Sequence, residues 1–128
     1  MQGCDSKLSK NDSRNELTSA YLVERVDLRF YNDLIEDITT YQIDNYIPSR
    51  VAAIIELVRS GLVNQSPNAD DPIVNDYGNN VDFKRIEVFY PSPLMDMIHE
   101  YKDKRNVSRP VAIKTLIRIG LKNPLTPF

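Results

Sequence analysis

The sequence is short of the residues that build disulfides, metal centres and secretion signals. It contains one cysteine, one histidine, four glycines and no tryptophan. A single cysteine, Cys4, excludes an intrachain disulfide and a zinc site made of several cysteines. No apolar run approaches the roughly 18 to 20 residues that cross a membrane, and the polar first twenty residues lack the apolar core of a secretory signal. We therefore expect an intracellular, non-secreted, cytoplasmic protein with no membrane association.

Catalytic patterns are also missing. The sequence shows no nucleophile beside a base, no metal-ligand spacing and no glycine loop for a phosphate. The single histidine, His99, follows Ile98 and is expected on the outer side of a helix, in contact with solvent. The sequence thus predicts a protein that is not an enzyme, with no catalytic residue, metal, cofactor or small-molecule substrate.

Charge is present but unevenly distributed. The net charge is -2, yet residues 84–128 carry nine basic and four acidic side chains, whereas residues 63–83 carry four acidic side chains and no basic one. Local charge, rather than the total, decides whether a surface can meet phosphates. The C-terminal third is therefore a basic unit inside a slightly acidic chain.

The chain contains an internal repeat. Residues 25–30 align with residues 85–90 at an offset of 60, and one residue fewer in a later turn of the second copy reduces the offset to 59. Beyond that turn eight residues are identical in the two copies: Ser49, Arg50, Ala53, Ile54, Leu57, Arg59, Gly61 and Leu62, matched by Ser108, Arg109, Ala112, Ile113, Leu116, Arg118, Gly120 and Leu121. A single length change at a turn is typical of a duplicated unit.

Each copy begins with alternating apolar residues, which predict a strand with one buried face. The inward residues are Val26, Leu28 and Phe30 in the first copy and Ile86, Val88 and Tyr90 in the second. A lone strand leaves an unpaired edge, and a copy of about forty residues buries too little apolar surface to fold by itself. We therefore predict that the two strands pair antiparallel and that the helices of both copies pack around them.

Two helices follow each strand. The first is expected to be capped by Asn32 or Asp33, and its counterpart by Ser92 with Pro93 at the first helical position. The predicted apolar stripes are Leu34, Ile35, Ile38 and Tyr41 in the first copy and Leu94, Met97, Ile98 and Tyr101 in the second.

The second helix of each copy has its own start and stop signals. Ser49 and Ser108 are expected to cap the two helices. Gly61 and Gly120 stand where a left-handed C-terminal cap is predicted. The resulting division is a tail at 1–23, a first unit at 24–63, a linker rich in Asn, Asp, Pro and Gly at 64–83, a second unit at 84–123 and a tail at 124–128.

This order of elements resembles the ribbon-helix-helix family of DNA-binding proteins (Arc/MetJ type), in a tandem form with two copies in one chain. Residues 25–30 resemble the family's ribbon, and the Ser-Arg at 49–50 with the Arg-x-Gly-Leu at 59–62 resembles its second helix. The resemblance covers about three fifths of the chain. It implies a mostly α fold with a short two-stranded antiparallel β-ribbon, in which two ribbon-helix-helix units form an intrachain pseudo-dimer.

The resemblance also implies a function and a site. Family members insert the ribbon into the major groove of double-stranded DNA and anchor the second helix on phosphates. The implied base-reading residues are Arg25, Asp27, Arg29, Arg85, Glu87 and Phe89, and the implied phosphate-binding residues are Ser49, Arg50, Ser108, Arg109 and Lys84. The implied function is a sequence-specific, repressor-like transcription regulator.

Several alternatives remain open at this point. Two acidic residues, Asp27 and Glu87, depart from the family's usual ribbon by placing negative charge on the face meant for DNA. The first copy is also net acidic, and if the two halves read DNA differently, the site would be only pseudo-palindromic. The chain could instead be an accessory protein of a plasmid relaxosome or partition complex, or an antitoxin-like protein-interaction module. Self-association on adjacent DNA sites, and exchange of strands between chains, are also left open.

Overall fold

The structure, a computed structural model, describes residues 22–66 and 82–123. Its elements are β1 (Val23–Tyr31), α1 (Asn32–Asp44), α2 (Arg50–Asn64), β2 (Phe83–Pro91), α3 (Ser92–Arg105) and α4 (Arg109–Lys122). Cys4, most of the tail at 1–23, most of the linker at 64–83 and the tail at 124–128 lie outside the described residues. The predicted division of the chain into five segments stays a prediction.

The two strands pair antiparallel and form one sheet. Their register is symmetric about the pair Asp27 and Glu87, which are equivalent positions of the two repeats. Hydrogen bonds continue the ladder past both ends, from the Asn32 amide to the Asp82 carbonyl and from the Ser92 amide to the Leu22 carbonyl, at 3.3 and 3.0 Å. Because the side chains of a strand alternate between its faces, one face of the ribbon is buried and the other meets solvent.

The prediction of two ribbon-helix-helix units that form an intrachain pseudo-dimer is wrong. Among the described residues the chain has a single β-ribbon and four helices around one core, and neither repeat keeps a ribbon of its own. The physical reason is that each repeat supplies only one strand, whose backbone groups need a partner. The buried faces of both strands and the apolar stripes of all four helices then fill the same core.

The first helix of each repeat follows its strand without a connecting residue. Asn32 and Asp33 do not cap α1; Tyr31 occupies that position without a side-chain hydrogen bond, and the Asp33 carboxylate accepts from the amide of Leu34 at 2.8 Å. Ser92 does not cap α3 either, because it is already the first helical residue, and its hydroxyl donates to the Leu22 carbonyl at 3.1 Å. The strand ladder thus fixes the point where each helix begins.

The second helices pack directly against each other. Ser49 and Ser108 cap them as the sequence predicts, and their hydroxyls accept from the amides of Ala52 and Val111 at 3.1 and 3.4 Å.

The predicted left-handed caps at Gly61 and Gly120 are wrong, since both glycines lie inside helices that continue to Asn64 and Lys122. A Cβ atom on Gly61 would lie 2.9 Å from the Cα of Leu116, and one on Gly120 would lie 3.1 Å from the Cα of Leu57. The glycines therefore allow α2 and α4 to touch backbone to backbone.

One residue of the predicted helical stripes is misplaced. Met97 is 49% exposed, whereas Met95 on the other flank of the same stripe is 1% exposed. The repeat explains the difference, because the counterpart of Met95 is the buried Ile35 and that of Met97 is the exposed Asp37. The strand residues predicted to face inward are all buried.

Candidate nucleic-acid interface

The outward side of the ribbon, which we call the ribbon face, presents five cross-strand rows. From one end to the other these rows are Val23 and Pro91, Arg25 and Phe89, Asp27 and Glu87, Arg29 and Arg85, and Tyr31 and Phe83. The six residues predicted to read bases fill the three central rows, and all six side chains are exposed. The structure therefore brings these six residues together on one accessible surface.

The central row carries two carboxylates, Asp27 and Glu87, directly opposite each other. Like charges in that position destabilise a ribbon. Arg25 relieves the repulsion: its Nε donates to Glu87 Oε2, and its terminal nitrogen lies 3.7 Å from Asp27 Oδ2. The hydrogen bond that Arg25 donates to Glu87, with the negative charge of both acids, raises the pKa of Arg25 above its ordinary value. The positive charge of Arg25 is thus already matched within the protein.

The next row carries two arginines, Arg29 and Arg85, in the same directly opposed arrangement. Among the described residues no ion pair joins either of them to a carboxylate. The Arg29 guanidinium lies 5.2 Å from the centre of the Phe83 ring, and that ring meets Tyr31 edge-on with centroids 5.8 Å apart. Stacking on an aromatic ring restricts a guanidinium without neutralising it. This row and its aromatic neighbours form the cationic end of the ribbon face.

A basic residue that the sequence analysis missed lies beneath the cationic end. Lys114 of α4 is only 8% exposed, and its ammonium lies 5.7 and 5.9 Å from the ring centres of Tyr31 and Phe30. The repeat contains the signal that reveals it, because its counterpart in the first copy is Ile55. A lysine that replaces an apolar residue of a helical stripe places positive charge close to the ribbon.

The opposite end of the ribbon face is apolar. Phe89, across from Arg25, is 49% exposed, and Val23, across from Pro91, is 51% exposed. Leu22, the residue before Val23, is also exposed. We call Val23, Phe89 and Pro91 the apolar end of the ribbon face.

The predicted phosphate-binding residues divide into two unlike groups. Arg109 donates to Glu24 Oε2 at 2.8 Å, and His99 lies 3.7 Å from the other oxygen of the same carboxylate. The charge of Arg109 is therefore already neutralised by Glu24 within the protein. Ser108, at the start of the same helix, keeps its capping hydrogen bond.

The other group has no such acid. The repeat counterparts of Glu24 and Arg109 are Lys84 and Arg50, so the strand position that is acidic in β1 is basic in β2. No ion pair to a carboxylate involves either residue among residues 22–66 and 82–123. Free amides and the helix dipole at the Ser49 cap add to this positive potential.

Other kinds of site are weak in the described part of the chain. A pocket of about 120 Å³ lies between α2 and α3, lined by Leu62, Gln65, Met97, Glu100, Tyr101 and Lys104; pockets that hold small molecules are usually about 300 Å³ or larger. Residues 22–66 and 82–123 contain no group of three or more metal-ligating side chains. In the same residues, no helix has the length and apolar character that a membrane crossing requires.

We compared the chain with protein-family models, with curated proteins and with solved structures, and none of the three comparisons gave a match. The ribbon face and its surroundings are therefore the features from which a function can be inferred.

Proposed function

We propose that this protein is a sequence-specific, repressor-like transcription regulator that inserts its two-stranded ribbon into the major groove of double-stranded DNA. The observation that carries the proposal is the opposed pair Arg29 and Arg85, exposed and without a carboxylate partner among the described residues. Two like charges held face to face favour a ligand that offers negative charge or hydrogen-bond acceptors. The resemblance to ribbon-helix-helix proteins remains part of this proposal, since it implies the same face.

The dimensions of the ribbon suit the major groove. That groove is about 12 Å wide and admits a two-stranded ribbon, whose strands lie about 4.8 Å apart. Arginine donates two hydrogen bonds to guanine O6 and N7, and an apolar side chain such as Phe89 contacts the thymine methyl group. Both chemistries are present and exposed on the ribbon face.

Phosphate contacts would orient the ribbon in the groove. Arg50 and Lys84, together with the amides at the Ser49 cap, supply the stronger anchor because no acid neutralises them among the described residues. Arg109 must exchange its bond to Glu24 for a phosphate, which weakens the second anchor.

The test begins with selection of duplexes from a random pool, followed by anisotropy titrations of the selected duplex at several salt concentrations. Arg29→Ala and Arg85→Ala should each weaken binding by about 1–3 kcal/mol and relax sequence preference. The matched control is Arg59→Ala, an exposed arginine of α2 whose repeat counterpart Arg118 binds Asp37 at 2.6 Å on another surface. Sequence-blind binding, or equal binding by all variants, would rule out base reading by the ribbon.

A further inference from the structure

The two ends of the ribbon face are equivalent in geometry but opposite in chemistry. The register maps each strand onto the other about Asp27 and Glu87. That symmetry places Arg29 where the other strand has Phe89. One end of the face therefore carries two arginines across from each other, and the other end carries a phenylalanine across from an arginine.

The arginine at the apolar end is the one held by acids. Both central carboxylates contact Arg25, through its hydrogen bond to Glu87 and its 3.7 Å approach to Asp27. Its repeat counterpart, Arg85, has no ion pair with either acid. The two central carboxylates consequently neutralise the positive charge of Arg25 at the apolar end. They form no ion pair with Arg29 or Arg85 at the cationic end.

The surroundings of the ribbon differ in the same direction. Glu24 lies opposite Tyr90, beside the apolar end, whereas Lys84 lies opposite Phe30, beside the cationic end. Lys114 lies near the cationic end, over the Tyr31 ring. Two separate features, the carboxylates of the central row and the exchange of Glu24 for Lys84 on the strands, thus polarise the molecule along the ribbon.

From this polarity we infer that the protein binds DNA in one fixed direction, with guanines at the cationic end and thymines at the apolar end; the inference rests on the proposed function. The two rows that define the ends, Arg25 with Phe89 and Arg29 with Arg85, are four residues apart along each strand. At a rise of about 3.4 Å per residue this separation is about 14 Å, or about four base pairs at the same rise per base pair. The preferred site is then non-palindromic, with guanine and thymine positions about four base pairs apart.

Selection from a random duplex pool tests this inference first. The wild-type chain should enrich a motif with guanines on one side and thymines on the other. Phe89→Ala should then relax only the thymine positions, and Arg29→Ala only the guanine positions, each by at least about fivefold in relative affinity, which is the lower end of the discrimination given by one good base contact.

Directed cleavage of the bound duplex tests the direction itself. An iron chelate is attached to a single new cysteine in a Cys4→Ser chain, either Asn32→Cys beside the cationic end or the matched Leu22→Cys beside the apolar end; both side chains are exposed. The chelate at position 32 should cut DNA on the guanine side and that at position 22 on the thymine side.

Failure of the fixed direction and failure of the proposed function would give different results in these experiments. A palindromic motif, with both chelates cutting both sides equally, would overturn the fixed direction and leave sequence-specific binding in place. No enriched motif, or no effect of Arg29→Ala and Arg85→Ala on binding, would overturn the proposed function and the fixed direction together.

Discussion

Arg29 and Arg85 face each other across the ribbon, and no carboxylate among residues 22–66 and 82–123 forms an ion pair with either. The adjacent row, Asp27 and Glu87, has the same like-charge arrangement but is relieved by Arg25. The repulsion between the two carboxylates is thus balanced within the protein, whereas that between the two arginines is not. A negatively charged partner could balance the second pair. This contrast makes the two rows separable by mutation.

Replacing one of the opposed arginines should affect stability and DNA affinity in opposite directions. Arg85→Gln removes a like charge but keeps a long polar side chain, so the free energy of unfolding should rise by about 0.2–1 kcal/mol. The same change should weaken binding to the selected duplex by about 1–3 kcal/mol. Urea unfolding and anisotropy measure the two quantities. In Arg59→Gln, the control, neither should move by more than about 0.5 kcal/mol; a large loss of stability in Arg85→Gln would contradict the unrelieved repulsion.

Neutralising the central row should strengthen binding. Glu87→Gln removes a negative charge from the ribbon face and lowers the pKa of Arg25 towards its ordinary value, because Glu87 is the main cause of the increase. Affinity for the selected duplex should increase about threefold or more at low salt, as expected when one repulsive charge is removed from a binding face. Anisotropy at several salt concentrations measures the change, with Asp27→Asn expected to act in the same direction. Weaker binding by both variants would mean that these acids contribute attractive contacts.

The glycines of the helix crossing should not tolerate a methyl group. In an exposed helix Gly→Ala is stabilising by about 1 kcal/mol, whereas Gly61→Ala and Gly120→Ala would press a Cβ into the backbone of the facing helix. We expect each to lower the free energy of unfolding by at least about 1–3 kcal/mol. Urea unfolding gives the value, and Val63→Ala at a 72% exposed position is the neutral control. A stabilising effect at either glycine would refute the close contact.

A buried tyrosine should make stability fall at alkaline pH. Tyr90 is 1% exposed, and burial raises the pKa of its hydroxyl far above the ordinary value of 10. Above about pH 10 the unfolded chain releases this proton and the folded protein does not. The contribution of Tyr90 to the free energy of unfolding is therefore complete below that pH and decreases above it. The hydroxyl also has no hydrogen-bond partner among the described residues. Tyr90→Phe should therefore be neutral or stabilising, by up to about 1–3 kcal/mol, and should reduce the loss between pH 10 and 11. Urea unfolding at each pH measures the loss. If the free energy of unfolding fell equally in the wild type and in Tyr90→Phe, this assignment would be contradicted.

Local patterns in the sequence predict the faces of the elements well. The alternation of Val26, Leu28 and Phe30 predicts a buried strand face, and Ser49 and Ser108 predict helix caps, because these signals depend on neighbouring residues alone. The structure confirms the burial and both caps. The exposure of the six base-reading candidates follows from the same alternation.

Features that depend on distant residues could not be predicted in this way. Whether Gly61 ends a helix or admits a neighbouring one depends on Leu116, more than fifty residues away. The ion pair between Arg109 and Glu24 joins two repeats and has no local signal. The single shared ribbon belongs to this class as well, since pairing of the strands merges both repeats into one core and leaves no separate units.

The most direct test of the central claim is protection of guanine N7 from methylation in the complex with the selected duplex. A ribbon in the major groove that uses Arg29 and Arg85 to contact guanines should protect guanines on one side of the site. Arg85→Gln should lose part of this protection, while Arg59→Gln should keep all of it, at protein concentrations that saturate the duplex. Saturating binding that leaves every guanine N7 reactive, or protection unchanged in Arg85→Gln, would contradict the account.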